Sequence, residues 1–229
     1  MNRVHFIYLG GDFLWPHRRA VMTALVHDAP ITMWCATEPS GEEWDELEGE
    51  VEVRELPCAA YLHHPIGLAN IKDRFAWQIL YEHGGLYLDL DTVSFRPCWD
   101  LLTRDVCVSL EHGPDSEYES GEDRGHPYNS AVVIGRMGSE ALADLADRAD
   151  TILSSGESRW GKCGPHLLSD VVAEYPDRFD IAPFGVLNGY RDGTAIRYYN
   201  GQRPGPDVRV AHLFSSSRFH LFEQDRWMP

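Results

Sequence analysis

The chain is predicted to be an α/β protein whose sheet is parallel in its first half and mixed in its second. Three observations carry that prediction. Up to Asp91, short apolar runs suited to buried strands alternate with segments of helical period. The most regular helical pattern stops at Gly84-Gly85 and gives way at once to another apolar run. Beyond Asp91 the alternation lapses, and strands and helices follow in no fixed order.

Val4–Leu9 is expected as the first buried strand, closed by a Gly10-Gly11 turn. Pro16 suits the first turn of a helix running to about His27, where a missing N–H costs nothing. Ile31–Cys35 reads as a second strand and Glu42–Glu48 as a short acidic helix. Val51–Leu56 alternates apolar and charged residues, as a half-exposed strand does. Asn70–His83 is the strongest helix, with Ile71, Phe75, Ile79 and Leu80 at helical spacing. Leu86–Leu90 then forms a buried strand ending on Asp89 and Asp91. Val106–Leu110 and Ala131–Ile134 read as strands bracketing an acidic stretch, Gly113–Pro127, that reads as a solvated loop. Ser139–Ser154 and Pro165–Glu174 read as amphipathic helices, and Val208–Leu213 as a last strand before an aromatic tail. Ligands of such sheets bind beyond the carboxyl ends of strands, where Asp89 and Asp91 fall.

Composition narrows the class. The 229 residues suit one α/β domain spanning 1–229. A formal net charge of −16 repels polyphosphate, which argues against a duplex nucleic-acid partner and against anionic membrane surfaces. An anionic nucleotide would need positive charge concentrated by a divalent cation or a few basic side chains. No apolar run approaches the roughly 18–20 residues of a membrane span, and the opening segment lacks a signal peptide's apolar region. A cytoplasmic protein is therefore expected. The five cysteines form no Cys-x-x-Cys pair, so they read as thiols in a reducing compartment rather than as zinc ligands. His63-His64 reads as part of a loop, because adjacent histidines in a strand face opposite ways.

The stretch that carries chemistry runs from Ile71 to Asp91. In a strand, residues two apart share a face, so Asp89 and Asp91 are expected to point to one side. Two such carboxylates repel unless a cation sits between them. A hard divalent ion would take its remaining oxygens from a diphosphate and offset charge on the leaving phosphate. Two other readings of Asp89-Leu90-Asp91 are weaker. As a calcium loop it fails, because Ser94 stands where the turn glycine belongs and Asp100 where the closing Glu belongs. As a haloacid-dehalogenase-type phosphatase nucleophile it lacks a downstream lysine followed by an acidic pair, since Lys162 is followed by no Gly-Asp.

Context separates these readings. The segment from Asp73 through Gly84, Gly85, Tyr87, Asp89 and Asp91 resembles the DXD sugar-binding region of glycosyltransferases. That family is typified by capsular-polysaccharide transferases, Golgi initiating mannosyltransferases and large glucosylating bacterial toxins. The opening His5-Phe6-Ile7-Tyr8-Leu9-Gly10-Gly11, Asn129, Gly164-Pro165 and His212 match further landmarks of it. The resemblance implies a GT-A fold, with a Rossmann-like N-terminal half to about residue 100 holding the nucleotide-sugar and an acceptor-side half from about 101 to 229. It implies transfer of a hexose, with retention, from a UDP- or GDP-sugar to a hydroxyl of a glycan, protein or small molecule. Asp91 would bind Mn2+ or Mg2+ directly, Asp89 would hold ribose or sugar hydroxyls and the ion through water, and His212 would be a third ligand. Asp73 would accept hydrogen bonds from the sugar. Tyr8 would stack on the base, with Gly10, Arg74, Tyr87, Asn129, Ser217 and Arg218 completing the donor site.

Two positions depart from the pattern. The family's arginine after Ser-Asp falls at Ala76, leaving Lys72, Arg74 or Trp77 to reorganise that corner. The family's Ser-Trp after the late histidine reads Ser217-Arg218. The missing arginine also admits a catalytically inactive sugar-nucleotide or glycan-binding module.

Overall fold

The computed structural model describes residues 2–47, 49–59, 61, 67–111, 127–156, 159–189, 198, 201–202 and 204–213. Four parallel strands open the fold: β1 (Val4–Tyr8), β2 (Ile31–Cys35), β3 (Val51–Glu55) and β4 (Gly85–Leu88). β5 (Thr92–Ser94) leaves the sheet, and β6 (Val106–Leu110), β7 (Tyr128–Gly135) and β8 (Phe179–Ala182) complete it. Among the described residues the order is β3-β2-β1-β4-β7-β6-β8. β7 runs antiparallel to both β4 and β6, so the sheet is parallel first and mixed later, as the sequence predicts. β5 pairs antiparallel with β9 (Val210–His212) in a separate two-stranded ribbon.

Helices cover both faces, which is why the central strands are buried along almost their whole length. On one side α3 (Leu68–His83), α4 (Glu140–Ser155) and α5 (Leu167–Glu174) pack with Ile71, Phe75, Leu80, Tyr87, Val133, Leu142 and Leu168 in a single core. On the other, α1 (Trp15–Ala24) brings Ala20 and Val21 onto Phe6, Leu86, Leu88, Val132 and Ile134. The strand period of two thus sends Tyr87 to one core and Leu86 and Leu88 to the other. Within α3 the Trp77 ring is fully buried and its indole N–H donates to the Cys163 carbonyl at 2.7 Å. Truncating Trp77 to alanine costs about 3–5 kcal/mol.

The Gly84-Gly85 pair ends α3 because the chain passes too close to its neighbours for a side chain. A Cβ on Gly85 would lie 2.3 Å from the Arg3 carbonyl oxygen, and one on Gly84 would lie 2.7 Å from the Met137 nitrogen. Both also hold positive φ, +61° and +106°. That pair sets where β4 begins, and hence where it delivers Asp89.

Some boundaries differ from the sequence reading. The acidic helix α2 is only Glu42–Asp45. β3 is a sheet edge, so Val53 is 38% exposed despite the alternation. The helix expected from Pro165 begins as a wide turn over Lys162–His166, with Gly164 outside helical geometry, and only then becomes α5. The buried strand expected over Leu86–Leu90 ends early, because β4 stops at Leu88. β5 and β8 had no recognisable pattern at four residues or fewer. No helix among the described residues is long and apolar enough to cross a membrane. His63-His64 and almost all of the 113–127 stretch lie outside the described residues.

Candidate metal and donor site

The site forms where β4 ends. The Asp89 amide donates to the Ala131 carbonyl of β7 at 2.8 Å, the last tie to the sheet. The chain then turns: the Thr92 amide and hydroxyl both donate to the Asp89 carbonyl, at 3.1 and 2.8 Å. Asp89 therefore opens a turn and Asp91 sits within it, and this turn, not strand alternation, brings their carboxylates together. Beyond it β5 pairs with β9 in a register that sets Thr92 opposite His212. The Leu213 amide donates to the Asp91 carbonyl at 2.9 Å and closes the junction.

His212 Nε2 lies 3.2 Å from Asp91 Oδ1. Donor atoms of Asp89, Asp91 and His212 all fall within 4.8 Å of one another. Burial works to lower the His212 pKa, but Asp91, with Asp89 and Glu111 behind it, overcomes this and raises it. Asn129 stands behind the ring: its Oδ1 accepts from the Ala131 amide at 2.8 Å, which turns its Nδ2 toward His212 Nδ1 at 3.5 Å. The donor set is two carboxylates and an imidazole with room for further oxygens. Such a group could hold a divalent cation.

A second cluster adjoins the first. Lys72 Nζ donates to both oxygens of Asp89, at 2.8 and 2.6 Å, and lies 3.6 Å from Asp73 Oδ1. The Tyr87 hydroxyl donates to Asp89 Oδ1 at 2.6 Å. Burial pushes the Tyr87 phenol upward, with the Asp89 carboxylate adding to it. Burial lowers the Lys72 ammonium, yet Asp89 and Asp73 more than reverse it, and the ammonium is held above its ordinary range. Asp73 is buried on α3 and accepts from the Ser130 hydroxyl at 3.4 Å. Burial pushes its carboxyl up to about 6 against the pull of Lys72. The wide turn passes directly over it: a Cβ on Gly164 would lie 2.0 Å from Asp73 Oδ2. Asn70 pins that turn to α3, accepting from the Cys163 amide at 2.9 Å and donating to the Arg159 carbonyl at 3.1 Å.

No family profile and no characterised protein matches this sequence. Solved structures do match in three dimensions. The PaToxG glycosyltransferase is 15% identical with a TM-score of 0.55, over 77% of this chain and 69% of that one. The apo form of the glycosyltransferase GlyE from Streptococcus pneumoniae TIGR4 is 14% identical with a TM-score of 0.51, over 94% of this chain. The chain spans only 55% of the length of GlyE.

The fold is that of a GT-A glycosyltransferase.

Within that fold the expected residues divide. Asp73, Tyr87, Asp89, Asp91, Asn129 and His212 come together in two adjoining polar clusters that meet at Asp89 and Asp91. Arg74 does not join it. Its guanidinium forks onto Asp150 of α4 at 2.6 and 2.8 Å and bonds Gln78, since the next position on a helix points about 100° away from Asp73. Tyr8 ends β1 as a buried core ring, set edge-on against Phe13 at 5.7 Å with its hydroxyl donated to the Gly11 carbonyl. Gly10, with φ +115°, lies in the loop just beyond it. Ser217 and Arg218 lie outside the described residues.

Beside Ala76, the nearest basic group facing Asp73 and Asp89 among the described residues is the Lys72 ammonium. Ala76 is buried, and Lys72, one helical turn earlier on the same face, supplies the positive charge. Sequence reasoning did not assign Ser130, Gly164's contact with Asp73, or His17, whose ring on α1 is close enough to Asp91 to feel its charge. These contacts join residues far apart in sequence, and only the register of β7 and the docking of the wide turn reveal them. A cleft of about 360 Å³ beside His83, Arg136 and Met137 lies at the opposite end of β4 and contains none of the site residues.

Proposed function

We propose that the chain is a metal-dependent glycosyltransferase that moves a hexose, with retention, from a UDP- or GDP-sugar to an acceptor hydroxyl. The observation that carries this reading is the convergence of Asp89, Asp91 and His212 at the carboxyl end of β4 in a GT-A sheet. Asp91 and His212 hold the cation, and Asn129 fixes the plane of the imidazole. When bound, the cation neutralises the donor diphosphate and the charge that develops on it as it departs. Lys72 and Tyr87 fix Asp89, leaving one lone-pair position on Oδ2 for a ribose or sugar hydroxyl or for water on the ion. Asp73, beneath Gly164, accepts from a sugar hydroxyl and orients the ring. Retention and the hexose rest on the family resemblance, with residues to about 100 on the donor side and the remainder toward the acceptor. A glycan, protein or small-molecule hydroxyl serves as acceptor. The five buried thiols fit a reducing compartment such as the cytoplasm.

Thermal-shift and hydrolysis measurements with a panel of nucleotide sugars test this reading. Ligands of the native state raise the melting temperature by mass action. The expected result is manganese-dependent stabilisation by one donor, with slow hydrolysis, both lost in Asp91→Asn. Stabilisation without turnover would establish the binding-module reading instead, and no response to any donor would refute both.

A further inference from the structure

We propose that Lys72 is a resident counter-ion that disfavours a bare divalent cation at the Asp89–Asp91–His212 site and favours one arriving with a diphosphate. The proposal rests on the metal-dependent donor reading above and adds a coupling device to it.

The geometry carries the argument. Lys72 Nζ bonds both oxygens of Asp89, and Asp89 Oδ1 takes a further hydrogen bond from Tyr87. A carboxylate oxygen has two lone-pair positions, so Oδ1 is filled and Oδ2 keeps one. Lys72 is no swinging surface lysine. Its side chain is 23% exposed and is held between Asp89 and the buried Asp73. An ion on Asp91 and His212 that reaches Asp89 through one water, with water–ion and hydrogen-bond lengths of about 2.1 and 2.7 Å, sits within about 7 Å of that ammonium, given the 2.6 Å contact to Oδ2. The ammonium thus opposes the ion with a full like charge in a partly buried setting, where screening is weak. A diphosphate reverses the balance by bringing several negative charges to both cations. Cation and diphosphate must then each strengthen the other's binding by the same factor, because coupling is reciprocal.

Mn2+ binding to the full chain, followed by electron paramagnetic resonance with and without UDP or GDP, tests this. Wild type is expected to bind Mn2+ about tenfold or more tightly with nucleotide, within the usual range of coupling. Lys72→Met is expected to bind Mn2+ alone about tenfold more tightly than wild type, with the nucleotide effect reduced by about the same factor, while Lys72→Arg keeps the wild-type pattern. A merely structural lysine would give the opposite, weaker binding in Lys72→Met. Should Lys72→Met be unstable, its melting temperature must rise more with Mn2+ alone than that of wild type. Equal or weaker Mn2+ binding by Lys72→Met, or no such rise, overturns the counter-ion role while leaving the transferase reading intact. No Mn2+ binding by wild type, even with nucleotide, overturns both.

Discussion

Replacing Gly164 with alanine tests whether the wide turn positions Asp73. The added Cβ would stand 2.0 Å from Asp73 Oδ2, 2.6 Å from its Cγ and 3.0 Å from Ser130 Oγ. Contacts that short require something to move. Asp73 has little freedom to yield, since it is buried on α3 with Oδ1 facing Ser130 and Lys72. Overpacking of this kind costs about 1–3 kcal/mol. In a domain of this size each kcal/mol lowers the melting temperature by about 2–4 °C, so a fall of about 2–12 °C is expected. With Asp73 in its proposed role of orienting the donor sugar, a displacement of about 1 Å is expected to lower donor turnover about 100-fold. Gly205→Ala is the control, because that position has open space and no positive φ, and its change should stay within about 0.5 kcal/mol. In an Asp73→Ala background the stability cost of Gly164→Ala should shrink, and a double-mutant cycle by calorimetry measures the coupling. Wild-type melting and wild-type turnover in Gly164→Ala would refute the packing of this turn against the site.

Other outcomes follow from the same structure. His5 and His27 are held neutral, burial lowering each from 6.5 to about 4. The unfolded chain therefore takes up these two protons first as pH falls, and their contribution, complete above about pH 6.5, is lost toward pH 4. Each histidine contributes a slope of about 1.4 kcal/mol per pH unit in that window. Asp73, raised to about 6, is protonated first in the native state and offsets about one of them. Urea denaturation between pH 7 and 4.5 should show the net fall, and imidazole titration near 6.5 by NMR for both rings would contradict it. Arg74→Gln should lose up to about 1 kcal/mol with its Asp150 partner, which is 42% exposed, and leave the donor KM within about twofold. A large KM rise without a stability loss would return Arg74 to the donor site. Trp77→Ala should unfold in denaturant about 3–5 kcal/mol earlier, and an unchanged midpoint would contradict the packing of α3 against the wide turn.

Much of the fold was legible because its signals are local. The helical period of Ile71, Phe75, Ile79 and Leu80, the stop at Gly84-Gly85 and the apolar run after it lie in one continuous stretch. Asp89 and Asp91 were legible for the same reason, although the turn that joins them was not, since the chain leaves the sheet two residues earlier than its apolar pattern suggests. His212 could be placed only by resemblance. Its approach to Asp91 depends on a three-residue ribbon, β5 with β9, whose partners are more than a hundred residues apart. Both Lys72 and Arg74 flank Asp73 in the sequence, and Arg74 was the one expected at the donor site. Helix geometry separates them, sending one to Asp89 and the other to Asp150. Gly164 carried no local signal of its purpose, because the obstacle to a side chain there is a carboxylate on another helix.

The central claim is that Asp89, Asp91 and His212 form the cation site serving a donor diphosphate. Anomalous diffraction at the manganese edge, from crystals grown with MnCl2 and UDP or GDP, tests it most directly. The account predicts one strong peak within coordination distance of Asp91 and His212, with diphosphate oxygens on its far side and no peak in Asp91→Asn crystals. A peak elsewhere, or nucleotide bound away from the carboxyl end of β4, would contradict it.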